Sequence, residues 1–350
     1  MTQTKNLLKI YSEVFEKSND WNFYSNMDIN PFNNEYNAKN FVKRFIELSG
    51  KAEDNPLYDY IIKLDKIRIR HIVSTFFLGI YLYSNIQKIK SSINKVVNRY
   101  KKQISDSVIE FSFMWYLICL FHDLGYSIED NEKYEDFKIF IKNKQIIHSL
   151  KRPVGVPALY KDVYKDYFNY RLGSINSDIC KPDHGICGGI ILFNALNEIL
   201  IKNQNAQKPK KLSWNPKLIN LYNYVSWVIL AHNIYFIRKG DKFEKCYRDK
   251  NLDKLILNEG EISKISLKKH SFLFLFALVD TIEPIKVLNE FTNLEKLKCK
   301  VELNNAKSCI ISLELDDEKL RACYFDKVYD LKKWLLPEIN LKNNVLEITL

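Results

Sequence analysis

Apolar residues recur at intervals of three and four along most of this chain, the spacing that gives an α-helix one apolar face. Residues 4–17 and 38–49 read as helices, separated by an Asn-rich polar stretch at 18–37, and the second ends at Gly50. The stretch 65–83 reads as a strong helix, with Leu64, Ile67, His71, Leu78 and Leu82 on one face. A basic amphipathic helix follows at 86–103. Ser105 and Asp106 offer caps for the next helix, which runs through FSFMWYLICLFHD and stops at Gly125. Residues 127–180 form a long polar insertion rich in Tyr and Lys, with a helix near 132–149 and the loop RPVGVP. Asp183 is placed to cap a helix running to about residue 201, and KNQNAQKPKK reads as a loop. Asn215 and Pro216 join a favoured cap to a favoured first-turn residue and start a helix that ends near 237, before Gly240. The last strongly apolar helix covers 271–283 and is closed by Pro284.

The tail has a different character. KSCIISLEL (307–315) and NVLEITL (344–350) carry the β-branched content of strands, with a helix at about 317–334 between them. The expected organisation is a mainly α chain: a helical domain over 1–295, with its insertion at about 127–180, then a small α/β appendage over 296–350.

Composition narrows the classes. With 46% hydrophobic and 27% charged residues over 350 positions, the chain can bury a sizeable core. The net charge of +11 favours anionic partners such as nucleotides or nucleic acid, although a solvated lysine-rich surface would give the same count. The seven cysteines are odd in number and include no CxxC pair, which fits reduced thiols in a cytoplasmic protein and argues against a Cys-ligated zinc site. The N-terminus lacks a signal-peptide apolar block, and no stretch reaches the roughly 20 clean apolar residues of a membrane span. The nearest stretches, 111–124 and 221–237, contain His122, Asp123, His232 and Asn233 and read as buried helices, so no membrane partner is expected. No feature specifies an oligomeric state.

Four of the six histidines, His71, His122, His184 and His232, lie in or beside apolar helices. One such residue is most simply a satisfied core histidine. Four on four helices, with Asp123 and Asp280 on similarly apolar segments, point to side chains converging inside a bundle. Imidazole and carboxylate ligands without thiolate suit Mn, Fe, Zn, Ni or Co, and Mg less well. The negative end of a helix dipole at His122-Asp123 also favours a cation there.

The pieces RIRHIVSTFFLG, LFHDLGYSIED, KPDHGICGGIIL, ILAHNIYF and LFALVDTIEPIK occur in the order H … HD … H … H … D. Over roughly residues 60–290 this order resembles the HD-domain superfamily of metal-dependent phosphohydrolases. The resemblance implies an HD-type helical bundle with one or two divalent transition metals. His71, His122, Asp123 and Asp280 would hold the first metal, and Asp123 would bridge to a second held by His184 and His232. It further implies attack on phosphorus by a metal-activated hydroxide. Tyr126 stands where many members of the phosphodiesterase branch carry Lys, and the G-Y-P pattern of the cyclic-di-GMP branch is absent.

Other residues carry two readings each. Asp183 is a catalytic candidate as a proton shuttle, beside Asp123, and is also a favoured helix cap. Gly185, Gly188 and Gly189 permit close helix packing; a phosphate cradle lacks a P-loop pattern. Arg68, Arg70 and Lys286 are candidates for holding a substrate phosphate, although only one of the two arginines can share the face of His71. Tyr134, Tyr160, Tyr164, Tyr167 and Tyr170 among lysines could stack nucleobases or pack as a lid. His148 and His270 fall outside the pattern and read as local structure. The expected function is hydrolysis of a phosphoester in a nucleotide, cyclic nucleotide or oligonucleotide. A nuclease for single-stranded nucleic acid is the first alternative; a non-catalytic nucleotide sensor is the second, disfavoured because all six ligand positions are filled.

Overall fold

A computed structural model describes residues 4–17, 21, 28–48, 57–104, 109–128, 165, 167–169, 183–203, 215–233, 265–305, 308–315, 317–333, 335, 338–342 and 345–350. The described chain is mainly helical. Its helices are α1 (Leu7–Glu16), α2 (Glu35–Leu48), α3 (Leu57–Ile62), α4 (Lys66–Asn85), α5 (Gln87–Ile104) and α6 (Phe111–Phe121). They continue with α7 (His184–Lys202), α8 (Leu218–Ala231), α9 (Ser271–Ile282), α10 (Ile285–Leu288) and α11 (Glu318–Tyr329). The strands are β1 (Lys5–Asn6), β2 (Leu297–Asn305), β3 (Ser308–Leu315), β4 (Glu338–Lys342) and β5 (Val345–Thr349).

Helix α4 is the centre of the bundle. Asp65 caps it by accepting the Arg68 N–H at 3.0 Å, and from Ile69 to Ile80 every residue is buried. The sequence pattern marked one apolar face; the structure buries the full circumference, because helices pack on several sides. Phe15, Trp21, Phe41, Phe45, Phe76 and Phe77 form an aromatic cluster that fastens α1 and α2 to α4. On another side Trp115 of α6 donates its indole N–H to the Phe76 carbonyl at 2.9 Å. Gly79 makes that approach sterically feasible, since a Cβ there would lie 2.0 Å from the Trp115 ring.

The tail contributes most of a five-stranded antiparallel sheet in the order β1-β2-β3-β5-β4. Its register pairs Cys299 with Leu313, Val301 with Ile311, and Leu313 with Leu346, so one face is continuously apolar and buried. The edge strand β1 comes from the N-terminus: Lys5 pairs with Cys299 and Asn6 with Lys298. The expected helix at 4–17 therefore starts only at Leu7, where Asn6 caps it by accepting the Lys9 N–H at 2.8 Å.

Other boundaries also shift. Helix α2 starts at Glu35 because Asn34, counted in the polar stretch, accepts the Asn37 N–H. The α-helical part of α6 ends at Phe121 and tightens into a 3₁₀ helix, His122–Ile128, instead of running on to Gly125. Its first residue, Phe111, follows Glu110, which makes no side-chain cap bond; Ser105 and Asp106 lie outside the described residues. Asn215 forms a turn ahead of α8 and donates to the Ile104 carbonyl at 2.8 Å. Strands β2 and β4 and the short helix α3 were not expected, although LKCKVELNN alternates apolar and polar residues. The expected helix near 132–149, the loop RPVGVP, residues 204–214 and residues 234–237 lie outside the described residues.

Helix α7 is, among the described residues, long and apolar enough to cross a membrane by length and composition alone, and most of it is buried inside the bundle. Cys119, Cys187 and Cys299 are buried, and Cys323 is exposed. Replacing Gly79 by Ala should force the Trp115 ring out of its place. We expect a loss of about 1–3 kcal/mol in stability, read from chemical denaturation, because the neighbour is a rigid indole packed on all sides.

Candidate metal centre

Buried histidines must place both ring nitrogens. His122 follows the last residue of α6 and its Nδ1–H donates to the Cys119 carbonyl three residues back, at 2.7 Å. His232 follows the last residue of α8 and its Nδ1–H donates to the Ile229 carbonyl at 2.6 Å. His71, on α4, donates from Nδ1 to Glu283 Oε2 at 2.6 Å. All three rings are thereby turned so that Nε2 faces the centre.

The Nε2 atoms meet there. His71 Nε2 lies 3.2 Å from His122 Nε2 and 2.8 Å from Asp280 Oδ1, and His122 Nε2 lies 3.7 Å from the same oxygen. His71, His122 and Asp280 form a buried cluster whose ligand atoms lie within 4.8 Å of one another, and it could hold a metal ion. His184 and His232 make a second pair, Nε2 to Nε2 at 3.2 Å. Two such nitrogens repel at this distance unless a proton or cation stands between them. Asp123 lies between the pairs, with Oδ1 3.2 Å from His122 Nε2 and 3.8 Å from His184 Nε2. That oxygen is fully buried and, among the described residues, has no hydrogen-bond partner. Leaving an oxygen of a buried carboxylate unsatisfied costs on the order of a few kcal/mol, so a cation fits this position.

The protonation states suit the same purpose. Burial pushes the His122 imidazole down to about 4 and, with help from His232, the His184 imidazole down to about 3. Burial opposes charge on Asp123 and Asp280. His122 and Lys286 for Asp123, and Lys286 and His71 for Asp280, outweigh it and hold both carboxyls well below the usual range. Neutral imidazoles and charged carboxylates are the forms that ligate metals. His71 differs: burial and Lys286 push its imidazole down, but the Asp280 and Glu283 carboxylates outweigh them and raise it above its usual value, so a cation there must displace a proton from Nε2. Phe276 packs edge-on against His122 and His232, with centroids at 5.0 and 5.4 Å, giving the centre an apolar floor.

Glycine sets the spacing of the parts. A Cβ on Gly125 would lie 2.1 Å from the His184 carbonyl oxygen, so only glycine lets the 3₁₀ segment meet the start of α7. Gly125 was expected as a helix stop; its role in the structure is this contact. Cβ atoms on Gly185 and Gly189 would crowd His232 and the Ser226 carbonyl, so the close packing expected of the α7 glycines is what they provide.

The remaining candidates separate. Arg68 reaches the centre, its Nη1 3.5 Å from Asp123 Oδ2, and its guanidinium lies over the Tyr126 ring at 3.1 Å. Tyr126 in turn stacks on the His184 ring at 4.0 Å. Arg70 is occupied elsewhere, by the Asn289 carbonyl and Glu290 Oε1, both at 2.8 Å. Lys286 is exposed and places Nζ 3.2 Å from Asp280 Oδ1. Asp183 caps α7: its Oδ1 accepts the Gly185 and Ile186 N–H groups at 2.9 and 3.1 Å. Tyr167 is fully buried in the core, while Tyr134, Tyr160, Tyr164, Tyr170 and His148 lie outside the described residues. His270 is buried at the N-terminal boundary of α9. Glu283, which the sequence pattern did not single out, is fully buried against His71. Its only signal is a carboxylate one turn beyond Asp280 at the end of an apolar helix.

No protein-family model, no curated protein and no solved structure matches the chain.

Because the cluster joins α4, the 3₁₀ segment and α9, a bound cation should stabilise the whole bundle. Mn(II) or Zn(II) at a hundred times its dissociation constant should add about 2.7 kcal/mol. A raised thermal midpoint, reversed by chelator and lost in His71→Ala, is the expected result. No shift with any divalent transition metal would contradict the donor assignment.

Proposed function

We propose that this chain is an HD-type metal-dependent phosphohydrolase that cleaves a phosphoester of a nucleotide, cyclic nucleotide or oligonucleotide. The observation that carries the reading is the position of Asp123. Its buried Oδ1, without a hydrogen bond among the described residues, lies between two histidine pairs, as a carboxylate shared by two cations would. His71, His122, Asp123 and Asp280 would hold one metal; Asp123, His184 and His232 would hold the other. Mn, Fe, Zn, Ni and Co suit these donors better than Mg. When bound, the metals would supply a water of lowered pKa and neutralise charge on the phosphoryl oxygens.

The chain's own groups have distinct tasks. Asp123 and Asp280 provide the fixed negative charge that a dication needs. The Phe276 floor keeps bulk water from one side of the centre. Arg68 and Lys286, each beside one of these carboxylates, are the cations placed to take a phosphoryl oxygen once a metal neutralises their present partners. Arg70 has no such role, because its guanidinium is already engaged. Asp183 acts as the cap that aims the start of α7.

The direct test pairs elemental analysis with release of phosphate or mononucleotide from nucleotides, cyclic dinucleotides and short oligonucleotides in Mn(II). About two metals per chain and turnover of one panel member are expected. Asp123→Ala should lose both the metals and the turnover; an active variant with normal metal content would refute the shared-carboxylate assignment. Turnover of oligonucleotides alone, with a steep salt dependence, would select the nuclease branch. On the substrate so identified, Arg68→Ala and Lys286→Ala should each raise KM by about ten- to a hundredfold. That is the loss of one charge-assisted hydrogen bond of about 1.5–3 kcal/mol. Unchanged KM in both would remove them from the phosphate site.

A further inference from the structure

Three histidines of the centre rest their Nδ1 atoms on oxygen, but the oxygens differ. His122 and His232 use peptide carbonyls, whereas His71 uses the Glu283 carboxylate at 2.6 Å. Glu283 is fully buried, and its second oxygen, Oε1, accepts from the Ser74 hydroxyl and from the Ile285 N–H at 2.9 Å. The Ser74 hydroxyl has one proton, which goes to Glu283, so the Tyr11 hydroxyl, 3.0 Å from Ser74 Oγ, donates to it in turn. Tyr324 of α11 bonds to the Ile282 carbonyl next to Glu283 at 2.5 Å. Tyr11 and Tyr324 are both buried, so the N-terminal helix and the tail close over the side of Glu283 away from the centre.

We infer that Glu283 is the positioning residue of this centre: it holds a proton on His71 Nδ1, and so reserves Nε2 for ligation. The role of Nε2 rests on the metal-site reading above; the control of the proton does not. A carboxylate in this position also makes the imidazole a stronger ligand than a carbonyl partner would. The orientation of Glu283 is over-determined, because two donors meet Oε1 and one meets Oε2.

That count makes glutamine a sharp probe. In Glu283→Gln the amide oxygen must face the two donors, Ser74 and Ile285. The amide NH₂ then faces His71 Nδ1, which can accept only if its proton moves to Nε2. The side chain keeps its size and its bonds, yet the ligand nitrogen is blocked.

The experiment uses the full chain with ¹⁵N-labelled histidine, with and without Zn(II). In the wild type, His71 should show a slowly exchanging, downfield Nδ1–H in both states. In Glu283→Gln that signal should vanish in both states, leaving the ring's only proton on Nε2 beside Asp280 Oδ1, and Zn(II) should bind about 10–100-fold more weakly with the circular dichroism unchanged. Ser74→Ala removes one of two donors to Oε1, so it should keep the Nδ1 proton and lose less affinity. It decides the matter beside the wild type if the glutamine variant does not fold. A merely structural Glu283 would leave the position of the proton unaltered. A bare Nδ1 in the wild type overturns the inference. So does a folded Glu283→Gln that keeps both the Nδ1 proton and the Zn(II) affinity. If the proton moves as described but the wild type binds no Zn(II), Glu283 keeps its role and the metal reading of the centre fails.

Discussion

A buried imidazole has two nitrogens to satisfy, and this chain satisfies one of them with its own helix ends. The last carbonyls of an α-helix have no helical N–H to accept. In α6 and α8 a carbonyl of the last turn, three residues before the histidine, takes the Nδ1–H of His122 or His232, and the Ile229 carbonyl accepts the His232 backbone N–H as well, at 3.3 Å. The helix end thereby aims the ring. His184 comes from the opposite kind of end, the first residue after the Asp183 cap of α7. Two helix C-termini and one N-terminus thus meet at the centre, and Asp123 reaches it from the 3₁₀ segment that continues α6.

The electrostatics follow from that meeting. Carbonyl-rich helix ends and two charged carboxylates make a negative pocket inside an apolar bundle. Arg68 and Lys286 answer part of that charge from its edge, but among the described residues Asp123 Oδ1 has no hydrogen bond. The sequence reading of +11 as an attraction for anions concerned the whole surface. The cluster of His71, His122 and Asp280 is one that could hold a cation, and its own carboxylates disfavour an anion while no cation is bound.

The histidine pattern was legible because burying ionisable groups is costly, so four of them in apolar helices needed a reason that sequence alone could state. The helical stretches were legible for a similar reason, their period of apolar residues. What was not legible depended on approach in space. Gly125 looks like a helix stop, and only the His184 carbonyl beside it reveals a contact. Arg68 and Arg70 lie two residues apart, on nearly opposite sides of a helix. Which one reaches the centre was decided by Glu290 and Asn289, more than 200 residues away in sequence, which take up Arg70. Glu283 before Pro284 looks like a polar helix end, and nothing local says that it is buried. The two-residue strand β1 is too short to leave a period at all.

Tyr126 shows how such spatial substitution works. Many members of the phosphodiesterase branch that the sequence resembles carry a lysine at that position, and this chain carries a tyrosine. In space, Tyr126 is a platform: it stacks on His184 with one face and carries the Arg68 guanidinium on the other. Arg68 Nη1 consequently stands 3.5 Å from Asp123 Oδ2. A cation is thus brought to the Asp123 carboxylate from α4. A planar guanidinium on an aromatic ring is held more rigidly than a lysine ammonium on a flexible stem. Tyr126 carries no charge itself, yet by holding Arg68 on its face it fixes where a positive charge stands beside Asp123.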